Sequence, residues 1–326
     1  MSHMKEHNEH PGRLGQLRGS PLRQTGMLAV VLAAALWGLG GTFAGKLFAQ
    51  GADPLEAVAV RTWITLAGLA ALLLARRSPP TSAQRERIPV PWRLVVGFGL
   101  SISVANAGLF LAIQRLPVAV ALVLQNLAPA LVVLSVLVST RRAPSARVIA
   151  GLVAALAGVA CVVELPTTSL GKIDLPGLGF GLLTAAGIAA FSYFGSHATR
   201  ACGALTANTW AFVVASGAWL LFQSYRGMPE LFHRPVLLVG AFVIGVFGTL
   251  VPFLLYAWGT ARVGAQAGAV TISLEPLFGA VLAWAWLGQT ITLVQTAGAA
   301  VLVTAVVFLQ RSDSSKPTPA QHNPTD

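Results

Sequence analysis

Apolar positions in this chain run in long unbroken stretches, with neither the strict alternation of a half-buried strand nor the narrow stripe of a soluble helix. No charge interrupts Leu94 to Gln114, Leu116 to Thr140, Leu175 to Thr199, Ala201 to Tyr225 or Pro235 to Ala261. Each can cross a hydrocarbon core of about 30 Å as a helix, which takes roughly 20 residues. Turn and breaker residues divide the chain into ten predicted helices: Met27–Phe48, Leu55–Ala75, Trp92–Gln114, Pro117–Ser139, Ala146–Val163, Leu178–Ala198, Leu205–Phe222, Val236–Trp258, Ala265–Leu287 and Ile291–Gln310. The last two share one uncharged stretch, Pro276 to Gln310, which is too long for a single span and is divided at Gly288-Gln289-Thr290. Short connections at 114–117, 139–146, 258–265 and 287–291 imply antiparallel helix hairpins. The pattern predicts an all-α integral membrane protein with ten transmembrane helices.

Composition agrees. Only 10% of the 326 residues are charged, where a soluble domain carries about 25%. Soluble enzymes, nucleic-acid modules and secreted disulfide scaffolds are thereby excluded. The net charge of +11 could suggest a nucleic-acid partner, but its distribution argues for a lipid bilayer instead. With the N-terminus inside, sixteen Lys and Arg fall on the cytoplasmic side, and five (Lys46, Arg115, Lys172, Arg226, Arg234) fall outside. Arg61 lies within a span. This bias follows the positive-inside rule. It predicts an even number of spans, cytoplasmic termini and a multi-pass protein of the inner (plasma) membrane. Residues 1–25 and 311–326 read as disordered cytoplasmic tails, with no cleaved signal peptide expected ahead of the first span. Cys161 and Cys202 fall near opposite faces and cannot pair. No metal motif is present, and Gly177-Leu178-Gly179-Phe180-Gly181 has Leu182 where a dinucleotide fingerprint needs glycine. No metal and no cofactor are expected.

An internal repeat reinforces the count. Pro129 and Pro276 stand 147 positions apart, and the same offset aligns Thr62-Trp63 with Thr209-Trp210, Arg115 with Arg262, Leu127 with Leu274, and Ala150-Gly151 with Ala297-Gly298. The repeats are residues 26–165 and 176–310. Each holds five spans, an odd number, so the second enters the membrane from the opposite side. Inverted repeats of this kind place a transport site near the midplane between the halves.

A charge in the bilayer centre costs about 2.5–3.5 kcal/mol on insertion scales and needs a partner or a wet cavity. Two residues meet that description. Glu275 lies near mid-span in the ninth helix, as a proton-coupling candidate or an amine-binding carboxylate. Arg61 lies in the second, as a gate or anion clamp. The structural alternative is that they form a pair, or that Glu275 ties down backbone beside Pro276. Prolines 129, 252 and 276 predict helix kinks. Pro129 and Pro276 free the carbonyls of Gln125 and Ile272, which must then face protein or water. Trp37, Asn106, Phe110, Gln125, Asn126, Thr271 and Ser273, with Tyr193 and Tyr256 somewhat lower, are candidates to line a substrate pathway; helix-to-helix hydrogen bonding is the alternative for the polar ones. Trp92, Trp219, Trp284 and Trp286 lie near span ends and read as interfacial anchors. Gly38, Gly41 and Gly45 read as close helix packing.

Trp37-Gly38, Arg61, Leu127-x-Pro129, Glu275-Pro276 and the pair Gly151/Gly298, in this order and at the repeat spacing, resemble the EamA family of the drug/metabolite transporter superfamily. The likeness runs from about Met27 to Gln310. It implies ten helices in two inverted five-helix repeats around a central cavity, and export of amino acids or other small metabolites. Two departures stand out. Where the family commonly ends its fourth and ninth spans with Gly-Glu, this chain has Arg141-Arg142 and Gly288-Gln289, so no acidic coupling residue exists at those places. The first departure, with Ile113-Gln114-Arg115-Leu116-Pro117, resembles the threonine/homoserine exporter branch. The expected protein is therefore a secondary transporter that exports a small-molecule substrate by alternating access, with protons as candidate coupling ion. A multidrug or cationic-compound exporter and an uncoupled facilitator are the alternatives within transport. An intramembrane enzyme lacks the paired carboxylates, His cluster or activated Ser it would need. Oligomeric state is left open, a monomer included.

Overall fold

A computed structural model of the chain describes residues 21–75, 90–140, 145–162, 174–264, 268 and 271–313. Most of both predicted tails, the Ser78–Ile88 loop, Arg141-Arg142 and the start of the ninth span lie outside the described residues. Every regular element among the described residues is helical.

The first three spans are single helices: α1 (Pro21–Ala49), α2 (Pro54–Ala75) and α3 (Trp92–Arg115). The fourth is two, α4 (Val118–Gln125) and α5 (Ala128–Thr140), followed by α6 (Ala146–Val162). The second half opens with α7 (Leu175–Cys202) and α8 (Ala204–Arg226). A short 3₁₀ turn, Glu230–His233, leads to an eighth span made of α9 (Pro235–Gly245), a π-turn (Val246–Leu250) and α10 (Val251–Val263). The ninth span ends in α11 (Glu275–Leu287), and α12 (Leu293–Asp313) is the tenth. Among the described residues six helices, taking the interrupted eighth span as one, are long and apolar enough to cross a membrane, and four shorter apolar helices accompany them. This fits the expected count of ten.

The first and last helices extend beyond the expected span ends. Residues 21–25 and 311–313 are helical. Pro21 opens α1, because the first helical N–H has no intrahelical partner and proline loses nothing there.

The expected kinks at Pro129 and Pro276 are full breaks. Asn126 and Leu127 turn back on the carbonyls of Val123 and Leu124 at 3.0 and 3.1 Å, three residues behind instead of four. Leu274 likewise bonds to Thr271 at 3.1 Å. Pro129 and Pro276 then sit in the first turns of α5 and α11, the one helical position that tolerates them. The breaks Asn126-Leu127 and Ser273-Leu274 keep the repeat offset. At Pro252 the chain forms a π-turn instead, with Thr249 Oγ1 donating to the Ile244 carbonyl five residues back at 3.2 Å. The interruption lets Gly40 of α1 approach: a Cβ at Gly40 would stand 2.9 Å from Gly248 Cα.

Small residues set the packing. A Cβ on Gly38 would lie 2.7 Å from the Gly279 amide and 3.0 Å from the Glu275 carbonyl, so α1 rests directly on the first turn of α11. Gly158 of α6 and Gly298 of α12 meet in the same way. Large apolar side chains such as Leu221, Val236 and Leu277 point outward, as expected for a body solvated by lipid. Trp219 corrects an expectation. It is 7% exposed and packs with Ala57, Val60 and Leu231 in the largest core cluster, because its face of α8 lies against other helices. Trp92, Trp284 and Trp286 are exposed.

Candidate functional site

The turn from α1 to α2, the ends of α3, α8 and α11, and the start of α4 share one end of the bundle, here called the Asp53 face. Arg61 sits two turns into α2 from it. Its side chain is 7% exposed, and its Nη2 donates to Asn106 Oδ1 of α3 at 2.7 Å. Asn106 is aimed by its own helix: its Nδ2 donates to the Ile102 carbonyl at 2.9 Å, which leaves the oxygen for the cation. Phe110, one turn on, lies beneath the guanidinium, whose carbon stands 4.6 Å from the ring centroid. Phe110 is 1% exposed, so it is a wall behind Arg61 more than a pathway surface. Arg61 Nε, also buried, has no hydrogen-bond partner among the described residues.

The second pair joins the two broken helices. Gln125, the last residue of α4, donates from Nε2 to Oε1 of Glu275, the first residue of α11, at 2.8 Å. Gln125 is buried and Glu275 is partly exposed. No salt bridge joins Arg61 to Glu275: the two ion pairs among the described residues lie elsewhere. The structure thus holds a cation with one amide, between α2 and α3, and a carboxylate with another, between the two broken helices. The repeat offset places Ala128 opposite Glu275, so this carboxylate exists in one half alone.

Other candidates fall around this centre or away from it. Trp37 and Tyr256 pack against each other at 5.6 Å, joining α1 to α10. Thr271, just before the second break, and Ser273, within it, are buried, and Thr271 Oγ1 lies 3.3 Å from Met27 Sδ of α1. Asn126 turns its amide back to the Leu122 carbonyl at 2.8 Å. Tyr193 is not brought to the site. It is 58% exposed and packs edge-on against Phe194 and tilted against His197 along α7, because its helix turns that face outward. Among the described residues no cluster could hold a metal ion. Two apolar crevices of about 440 and 490 Å³ lie off this centre, the first between α6 and α12, the second lined by Trp63 of α2, Ser216 of α8 and Phe232.

Sequence reasoning passed over the polar residues at the Asp53 face. Asp53 caps α2, accepting from the amides of Leu55 and Glu56 at 2.8 and 3.0 Å, and holds Arg226 of α8 through both oxygens at 3.1 and 2.8 Å. The cap was readable in Asp53-Pro54-x-Glu56; the partner was not. Burial pushes the Asp53 carboxyl up, but the Arg226 guanidinium and the two amides outweigh it and hold it below its ordinary value. The pair's contribution is therefore complete above the unfolded value of about 3.9 and is lost only as pH falls through the lower folded one. Both partners are partly exposed, so the tie is worth about 0.2–1 kcal/mol.

Ten spans in two halves, each broken at one depth, with opposite charges inside and apolar side chains outside, define a polytopic membrane transporter. The sequence pattern of the EamA-like transporter family matches residues 24–164 and again 175–311. The chain belongs to that family. It is 25% identical over 289 residues to an uncharacterized inner membrane transporter, YicL, of Salmonella typhimurium, covering 87% of this chain and 94% of that one. An uncharacterized transporter of Archaeoglobus fulgidus is 25% identical over 287 residues, 88% and 96% of the two chains. A solved crystal structure shares the fold at a TM-score of 0.56 and 18% identity, covering 91% of this chain and 99% of its own.

Proposed function

We propose that the protein exports amino acids or similar small zwitterions by alternating access, with protons as the coupling ion and Glu275 as their acceptor. The observation that carries this reading is a pair of opposite charges, each held by an amide. Arg61, held by Asn106, offers a cation to a substrate carboxylate. Glu275, held by Gln125, offers an anion to a substrate ammonium. Among the described residues neither charge is neutralised by a salt bridge, and a ligand carrying both signs would satisfy the two at once. An ion gradient or the substrate gradient supplies the energy, since the sequence carries no nucleotide-binding motif. One observation favours a second reading. The Trp37–Tyr256 pair, with Glu275, could hold a lipophilic cation through aromatic faces. Counterflow in proteoliposomes separates them. Neutral amino acids should exchange and cationic dyes should not; dye exchange without amino-acid exchange would transfer the reading to a drug exporter.

The orientation belongs to the same proposal. The charge bias places both termini and the Ser78–Ile88 loop in the cytoplasm and the Asp53 face outside. A single cysteine replacing Ser82 is expected to resist impermeant thiol reagents in intact cells and to react once the membrane is opened. Labelling in intact cells would overturn the topology.

A further inference from the structure

We propose that Asp53, Glu56 and Gln289 are the latch that holds the Asp53 face of the transport path shut. The inference rests on the alternating-access reading above and concerns residues that never touch substrate. Each side chain reaches from one half of the molecule to a helix end of the other. Asp53, ahead of α2, grips Arg226 at the end of α8 through two hydrogen bonds. Glu56, one turn into α2, accepts from the amide of Leu231 at 3.2 Å, in the 3₁₀ turn after α8, where Leu231 is itself buried. Gln289, just past α11, accepts from the amide of Val118, the first residue of α4, at 3.0 Å.

The Gln289 bond is the most informative. A helix start leaves backbone amides without partners, and α4 begins after Pro117, which offers no side-chain cap. The cap comes instead from a residue 171 positions away. Gln289 is itself held in place, because Gly288 adopts a left-handed conformation at φ 65° and Gln289 N bonds back to the Ala283 carbonyl at 3.2 Å. Moving α4 away from α11, as opening this end of the path between them requires, strips that amide of its partner.

The repeat supplies an internal control. In an inverted repeat the opposite face opens by the equivalent movement, and an equal latch would need equivalent side chains. At the offset of 147, Asp53 corresponds to Arg200, Glu56 to Gly203 and Gln289 to Arg142. Glycine has no side chain, and arginine has no acceptor for a helix amide. The same three bonds cannot form on the other face, so the latch biases the protein towards closure at the Asp53 face alone. On the proposed orientation that face is external, and the resting carrier stands ready to load from the cytoplasm, which suits an exporter.

The test reads access, not transport. In a chain carrying Cys161→Ala and Cys202→Ala, Ser273→Cys reports from the depth of the second break. Right-side-out and inside-out vesicles are treated with an impermeant methanethiosulfonate. Gln289→Leu and Asp53→Asn should each raise the labelling rate from the Asp53 face by about two- to tenfold, the range expected for one net hydrogen bond, and lower it from the opposite face. Gln289→Glu, which keeps an acceptor oxygen, should label at the parental rate. Unchanged rates in both Gln289→Leu and Asp53→Asn, a rise from both faces together, or no labelling from either face in any variant would overturn the latch. No substrate is used, so failure of the latch and failure of the amino-acid reading are separate results.

Discussion

Glu275→Gln is expected to fold, to exchange substrate between equal pools, and to run no faster with a pH gradient than without one. The geometry permits so clean an outcome. Gln125 donates to Oε1 of Glu275, and a glutamine at 275 still presents a carbonyl oxygen to receive that bond, so the joint between α4 and α11 persists. What is lost is the ability to take up a proton. Among the described residues Glu275 is the one carboxylate at the level of the breaks, the other acids lying at helix ends or in connections, so no neighbour can substitute. Glu275→Ala is the poorer probe, because it also removes the acceptor of a buried amide at a cost of about 1–3 kcal/mol. Proteoliposomes with and without an imposed gradient give the answer. Gradient-accelerated transport by a well-expressed Glu275→Gln protein would reduce the carboxylate to a structural tie.

Arg61→Gln is expected to raise the KM for an amino acid by about ten- to a hundredfold, which corresponds to one charge-assisted hydrogen bond of 1.5–3 kcal/mol. The guanidinium is anchored at Nη2 by Asn106 and backed by Phe110, which leaves its other donors for a carboxylate. Arg61→Lys should recover part of the loss and not all of it, since an ammonium keeps the charge and loses the planar fork. A purely structural arginine would behave otherwise: both variants would lower the amount of folded protein and leave KM alone. Measuring expression, KM and maximal rate together separates the two. An unchanged KM in both variants would sink the clamp.

Arg61 and Glu275 could be selected from the sequence, and their contacts could not. Arg61 and Glu275 stood out because a charge inside an apolar span is costly wherever the chain goes. Their partners are 45 and 150 positions distant, and an amide in an apolar helix reads equally well as glue or as pathway. Asn106 turned out to orient a cation and Gln125 to join two broken helices. Neither role has a local signature. Tyr193 and Trp219 fail in the opposite direction. Depth along a span was legible for both, but depth does not say which side of the helix faces protein. Tyr193 points out and Trp219 points in.

The breaks lie between these cases. Proline's missing amide and its clash with the preceding turn were certain from the sequence, as was the shared offset of Pro129 and Pro276. Whether the helix bends around such a residue or stops and restarts depends on what else can receive the stranded carbonyls. Near Pro252 the backbone inserts a π-turn with Gly40 lying against it. At the other two prolines it restarts outright.

What the chain determines by itself is what each residue does to its own neighbours: ten apolar spans, their doubling at one offset, the cap before α2 and the two costly charges. These follow from hydration, helix length and backbone chemistry, which act within a few residues. Tertiary structure alone decided which amide meets which charge, which faces look inward, and that Gln289 caps a helix in the other half. Those outcomes depend on how helices far apart in sequence are brought side by side, and side-chain contacts of a few ångströms are settled only once the whole bundle is packed.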